Sequence, residues 1–318
     1  MPFYTLPQME TRILGLLRLP TAVATQTGTP YSRATIVQNI NSAYEALNQL
    51  AIRSNHRDLI QFTRGVSTDG ILGMKLTTRM AKVLAITKRD AAADTNPPTE
   101  EWNAVYHYAK DTATGRPGVQ FDVIDQQIRI YDQTWPYWRI WWLRTPAPLN
   151  AGVIDEGTTA TDFIFPTTPT YGDVIQTDGF YNKEIIYFYS ANLLGTRVRT
   201  DIYTGSTRTA TLANYSDSTA AALSAVPDTG SLYTMLPWFP DALTDALIYE
   251  TVKLFQSVEY ANAYDTQLAY WRQQWEEFAV EKGDEASVRR VPLGSLNFGT
   301  TPITRWPFGS EGNYLWRG

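Results

Sequence analysis

The chain has 318 residues, with 27 Lys and Arg against 32 Asp and Glu, for a net charge of −5. It contains no cysteine, which excludes disulfides, thiolate catalysis and Cys-ligated zinc or iron–sulfur sites. Charged residues are 19% and hydrophobic ones 43%, so the chain can bury a sizeable core under a surface rich in Ser, Thr, Asn and Gln, while its acidic balance argues against a general nucleic-acid binder.

No apolar run approaches the roughly 20 residues needed to span a bilayer. The opening MPFYTLPQMETRILGLLRLP lacks a basic start followed by a long apolar core, so a soluble protein made in a cytoplasm is expected. Thr5 to Leu19 reads as a short helix, with Leu6, Met9, Ile13, Leu16 and Leu17 on one side and Pro20 as its stop. After a polar loop, Ser32 caps a second helix in which Ile36, Ile40, Tyr44, Leu47 and Leu50 or Ala51 recur at helical spacing. Two helices with single apolar faces need a partner, and the C-terminal helices are the expected one.

From about Leu59 the period changes toward two. Strands are expected at Leu59–Phe62, Ile71–Leu76, Met80–Thr87, Trp102–Tyr108, Val119–Ile124, Gln127–Tyr131 and Tyr137–Arg144, with Thr68-Asp69-Gly70 as a hairpin turn. In the last strand Trp138, Ile140 and Trp142 alternate with Tyr137, Arg139, Trp141 and Leu143. Large side chains on both faces predict burial on both sides or contact with another chain. Trp138, Trp141 and Trp142 are therefore candidate subunit-interface aromatics. Stacking of these rings on a sugar is the competing reading.

Residues 150–233 are heavy in Thr, Ser, Gly, Ala and Asp, with strands expected at Asp162–Phe165, Glu184–Ser190 and Arg197–Tyr203. Leu236 to Lys282 is the longest strongly helical stretch. Pro240-Asp241 reads as its start and Gly283 as its end, either as one long helix with a break near residues 260–265 or as two consecutive helices. Asp241 to Glu285 holds ten acidic and three basic residues, a net of −7, so the rest of the chain sums to +2. A solvated helix face is the bland explanation. Ala286 to Gly318 carries four arginines against Glu311, five large aromatics and three prolines. Such a segment cannot form its own core, and its aromatics favour an arm lying on a neighbour over a disordered end.

Catalytic constellations do not rise above background. His56 and His107 are the two histidines, and neither stands in a metal-binding spacing. There is no nucleophile elbow, phosphate-binding loop or dinucleotide fingerprint. No enzyme, cofactor or metal is expected.

In its order of parts the chain resembles the head-to-tail adaptor (connector) proteins of tailed bacteriophages. The resemblance rests on the N-terminal helix pair, on the stretch from Val119 to Tyr131 with the strand closing at Leu143-Arg-Thr-Pro-Ala-Pro-Leu149, and on Pro240-Asp241 followed by Ala246-Leu247-Ile248-Tyr249 and a second aromatic, acidic helix. These pieces span about two-thirds of the chain, and the long segment 150–233 departs from the pattern. The resemblance implies a virion protein at the head–tail junction, made in the host cytoplasm. It would form a ring under the portal, usually of twelve subunits, joining head to tail and extending the DNA channel. Its partners would be the portal protein, tail or tail-completion proteins and its own copies, with DNA passing through without specific binding and no membrane contact. Glu276, Glu277 and Glu281 are then candidates to line the channel, where negative charge lets DNA slide. Arg289, Arg290, Arg305, Trp306, Phe308 and Trp316 are candidates to contact the portal or a neighbour. The alternative is a tail-associated carbohydrate- or receptor-binding module.

The expected fold is α+β: a helical bundle formed by N- and C-terminal helices, with an intervening β-rich region and a β insertion. Its expected parts are helices in 1–58, a β region in 59–149, an insertion in 150–235, helices in 236–285 and an extended arm in 286–318.

Overall fold

The computed structural model describes residues 4–68, 71–75, 79–89, 106–107, 120–124, 127–130, 137–155, 157–215, 222–228, 230–255 and 264–289. The chain divides into two compact units, Met1–Gln49 with Pro146–Glu277, and Leu50–Thr145 with Phe278–Gly318.

In chain order, helices α1 (Leu6–Leu16) and α2 (Arg33–Arg53) come first. Seven strands follow: β1 (Ile60–Thr68), β2 (Ile71–Lys75), β3 (Met80–Arg89), β4 (Tyr106–His107), β5 (Gln120–Ile124), β6 (Gln127–Ile130) and β7 (Tyr137–Arg144). Six more are β8 (Ala151–Val153), β9 (Asp162–Ile164), β10 (Ile185–Phe188), β11 (Arg197–Thr204), β12 (Thr209–Asn214) and β13 (Leu232–Leu236). Helices α3 (Thr244–Phe255) and α4 (Asp265–Arg289) complete the described elements.

This arrangement overturns the expected helical bundle with a β insertion. The described chain is mostly β, with two sheets and four helices. In the first unit, segment 151–236 is the framework and the helices attach to it. Its strands run β8-β13-β10-β11-β12-β9, all antiparallel, as a curled half-barrel. Phe163, Phe165, Tyr181, Phe188, Tyr203 and Tyr233 are buried together, several of them edge to face. Full burial of one such phenylalanine contributes about 2 kcal/mol, and a sheet core of this kind needs no helical partner to explain it.

The helices cover what remains. A capping box starts α1: the Gln8 N–H donates to the Thr5 hydroxyl at 3.4 Å and the Thr5 N–H donates to Gln8 Oε1 at 2.9 Å. Its next residue docks on the sheet, where the Leu6 N–H donates to Thr234 Oγ1 at 3.2 Å. At the start of α2 the Thr35 N–H donates to Ser32 Oγ at 3.4 Å, and Ile36, Ile40, Tyr44, Leu47 and Ala51 are all buried. Asn41 grips the entry to the sheet from both sides, accepting from the Leu149 N–H at 2.7 Å and donating to the Leu149 carbonyl at 3.2 Å.

Two helix boundaries differ from the sequence reading. Asp241 does not cap an α-helix. It opens a 3-10 turn, and its carboxylate accepts from Arg197 Nη2 at 2.8 Å, so α3 begins three residues later at Thr244. Nor does Gly283 end α4, which runs on to Arg289. A glycine inside a helix costs about 1 kcal/mol, which the helix-forming Glu285, Ala286 and Arg289 beyond it offset.

In the second unit the strand order is β3-β7-β1-β2-β6-β5-β4, antiparallel except for the parallel pair β4–β5. Thr68 pairs with Ile71, the register of a two-residue hairpin, whose turn residues 69–70 lie outside the described residues. β7 has the expected bounds and sits between β3 and β1. His56 is buried just before this sheet, where its Nδ1 accepts from the Asp58 N–H at 3.2 Å. It therefore acts as the cap of a short turn.

Candidate functional site

Among the described residues, the side chains singled out in the sequence lie on α4 (Glu276 and Glu277) and on β7 of the seven-stranded sheet (Trp141 and Trp142). α4 is held by its inner side. Leu268, Trp275 and Ala279 are buried, a 3.6-period stripe that fixes which residues turn outward. Trp275 donates its indole N–H to the Leu47 carbonyl at 3.2 Å and lies edge to face with Phe239 at 4.8 Å and Trp238 at 6.0 Å. Trp238 in turn donates to Asn48 Oδ1 at 2.7 Å.

With that side fixed, Asp265, Tyr270, Gln273, Glu276 and Glu277 are exposed. Glu277 accepts from Gln273 Nε2 at 2.9 Å, and Glu276, one turn beyond Arg272, adds to the negative field on that guanidinium. The acids before α4 behave differently. Asp241 pairs with Arg197 at 2.8 Å and Asp245 with Arg12 at 3.1 Å. Glu250 takes two hydrogen bonds from Arg272, that from Nη2 at 2.9 Å, and these hold the guanidinium even more firmly protonated than usual. The acidic run is thus part neutralised framework, part open charge.

On the sheet, Trp142 is buried and its indole N–H donates to Thr63 Oγ1 at 3.0 Å, so this ring belongs to the interior of its unit. Ile140 and Val83 are buried on the same face. On the opposite face Leu143 is fully buried, and the surface is exposed at Phe62. Trp141 is half-buried, and its ring lies 5.4 Å from that of Phe62, which is 49% exposed. Register pairs Trp141 with Ala85 and Phe62, and Arg139 with Thr87 and Arg64, the side chains of Ala85, Thr87, Arg139 and Arg64 lying outside the described residues. Lys82, on β3, donates to Asn55 Oδ1 at 3.0 Å, and burial pushes its amine down to about 8.

Trp138 lies in β7, and Glu281 and Arg289 lie in α4, but their side chains are outside the described residues. Arg290, Arg305, Trp306, Phe308 and Trp316 are outside them altogether. Sequence reading missed Phe62 and Tyr270 as surface residues. The alternation of β1 carried a signal for the first, since Phe62 falls on the side opposite Gln61 and Thr63.

Charge also divides by unit. The first unit contains nine basic and 18 acidic residues, a net of −9, and the second 18 basic and 14 acidic, a net of +4. Among the described residues no group of three or more His, Asp or Glu could hold a metal ion, and no helix is long and apolar enough to cross a membrane. Comparison with protein-family models and with curated proteins found no match.

Proposed function

We propose that this chain is a structural subunit of a tailed-bacteriophage head-to-tail adaptor, forming a ring under the portal that joins head to tail and extends the DNA channel. The observation that carries this reading is the opposite charge of the two units, −9 and +4. A ring subunit meets an identical copy on each flank through two different surfaces. Units of opposite sign on one chain suit that arrangement, because each copy offers its neighbour what the neighbour lacks.

The packing of the helices supports the reading further. The segment after Pro240 returns to the N-terminal helices: Arg12 of α1 pairs with Asp245 of α3, and Trp275 of α4 bonds to α2. That is the order of parts on which the resemblance rests. The proposed partners are the portal protein, tail or tail-completion proteins and further copies of the chain. DNA passes through unrecognised, and the chain carries out no catalysis.

The test is a symmetry-resolved electron-microscopy map of the particle from the source virus. A closed ring of this chain between portal and tail is the expected result. Density for it only at the tail tip or on the capsid surface would overturn the reading in favour of a receptor-contact module.

A further inference from the structure

We infer that His56 is an acid-opened latch: its neutral imidazole holds α4 from Phe278 onward, and a proton on that imidazole releases it. The device belongs to the second unit and stands independently of the adaptor reading.

The sequence makes this end of α4 depend on outside support. Gly283 and Asp284 are adjacent residues of low helix propensity, and a stretch of that kind keeps its turns through packing. Of the described side chains after Trp275, Glu276, Glu277 and Val280 are exposed, Phe278 is half-buried and Ala279 is buried. Phe278 meets His56, with ring centroids 4.6 Å apart.

His56 closes two local structures besides. Its N–H donates to the Ala51 carbonyl at 2.9 Å and ends α2, with Asn55 before it in the left-handed region at φ 56°. Its carbonyl accepts from the Leu59 N–H at 3.0 Å and its Nδ1 from the Asp58 N–H at 3.2 Å, which together set the turn into β1. The residue is 0% exposed.

A neutral imidazole has one acceptor nitrogen, here Nδ1. An imidazolium has two donors and no acceptor. A proton on Nδ1 would face the Asp58 N–H, so charging the ring breaks the turn and places an ion in a buried site. The charged groups of the elements that meet there give a further cation little support. Arg53 ends α2, Arg57 and Asp58 pair with each other at 3.6 Å in the turn, and Lys82 of β3 donates to Asn55 Oδ1 at 3.0 Å. Arg144 of β7, next to the Leu143 that pairs with Ile60, is buried. On α4 the groups flanking Phe278 are Glu277, bonded to Gln273, and Glu281 and Lys282, whose side chains lie outside the described residues.

The chain has two histidines, so few groups titrate near neutral pH. In the opened turn His56 takes up a proton below about pH 6.5, and in the closed turn it does not. Acid therefore favours opening, and the closed state is fully favoured above that pH.

The test is hydrogen exchange of the full-length chain at about pH 7.5 and about pH 5.5, corrected for the pH dependence of chemical exchange. Protection of residues 278–289 and of the turn 56–59 should fall about tenfold on acidification, while the paired strands β1 and β7 keep theirs. His56→Asn retains an acceptor for the Asp58 N–H and removes the titration, so its protection should be equal at both pH values. His107→Gln should behave as the wild type does. Should His56→Asn fail to fold, imidazole NMR of the wild type reads the same point: His56 should stay neutral, with its proton on Nε2, wherever α4 remains protected. Wild-type protection unchanged by acid, a fall that persists in His56→Asn or vanishes in His107→Gln, an equal fall throughout the sheet, or a protonated His56 beneath a protected α4 would each overturn the latch.

Discussion

The indole N–H of Trp275 on α4 donates to the backbone carbonyl of Leu47 on α2, across 228 positions of sequence. That carbonyl lies within α2, so the bond ties the two helices at one fixed point. Trp275 is 2% exposed. Trp275→Ala is expected to cost about 4 kcal/mol in denaturant unfolding, through lost burial and the cavity left behind. Trp275→Phe should cost about 1 to 2 kcal/mol, since much of the packing survives and chiefly the hydrogen bond is lost. Equal losses for both variants would show that ring volume alone holds α4.

The ion pairs should rank by burial of their carboxylates. Glu10 is 6% exposed and accepts from Arg33 Nε at 3.0 Å, while the Arg12–Asp245 pair at 3.1 Å has more solvent on both partners. Removing one partner of a buried pair strands the other charge. Arg33→Met should therefore cost about 2 to 3 kcal/mol, and Arg12→Met under about 1 kcal/mol. Urea titrations of the two variants side by side make the comparison. The reverse order would mean that water reaches Glu10 in solution.

Local periodicity made much of this fold legible, and non-local pairing made the rest invisible. The stripe of Ile36, Ile40, Tyr44, Leu47 and Ala51 announces α2, and the alternation in Tyr137–Arg144 announces β7. β8, β12 and β13 are three to six residues long and built from stretches such as AGV and TATLAN, which carry no period strong enough to read. Missing them concealed that Thr234 pairs with Ala151 and that the sheet closes around a core of its own. Without those strands the periodic helices are the strongest signal in the chain, and they suggest a bundle. The acidic run failed in a similar way. Counting charges between Asp241 and Glu285 cannot show that Arg197 and Arg12, far upstream, already hold Asp241 and Asp245.

Gly205 should tolerate no side chain. A Cβ there would lie 2.4 Å from the carbonyl carbon and 2.5 Å from the carbonyl oxygen of Gln176. Both are backbone atoms, which cannot rotate aside. The Gly205 N–H also donates to Asp178 Oδ1 at 2.7 Å, which keeps the two chain segments close. Gly205→Ala is expected to cost about 3 kcal/mol through forced separation of the backbones. At Gly15, by contrast, a Cβ meets nothing within 4 Å. Gly15→Ala in the same thermal-unfolding series should be neutral or mildly stabilising, as expected inside a helix.

The tyrosine cluster of the first sheet should make the protein sensitive to alkali. Tyr233 donates to Asn150 Oδ1 at 2.9 Å and Tyr203 donates to the Ile175 carbonyl at 2.9 Å, bonds that need the protonated phenol. Burial pushes Tyr203 up to about 12 and Tyr233 well above its ordinary value of 10. In the unfolded chain these phenols ionise near 10, so between about 10 and 12 the unfolded state releases protons that the folded state retains. Stability from these groups is complete below pH 10 and is lost as pH rises through the folded values. The thermal midpoint should therefore fall across pH 10 to 12, and phenolate absorbance should rise with unfolding in place of preceding it. Tyr203→Phe should flatten part of that fall, at the cost of its hydrogen bond near neutral pH. A midpoint that falls just as steeply in this variant would remove Tyr203 from the account.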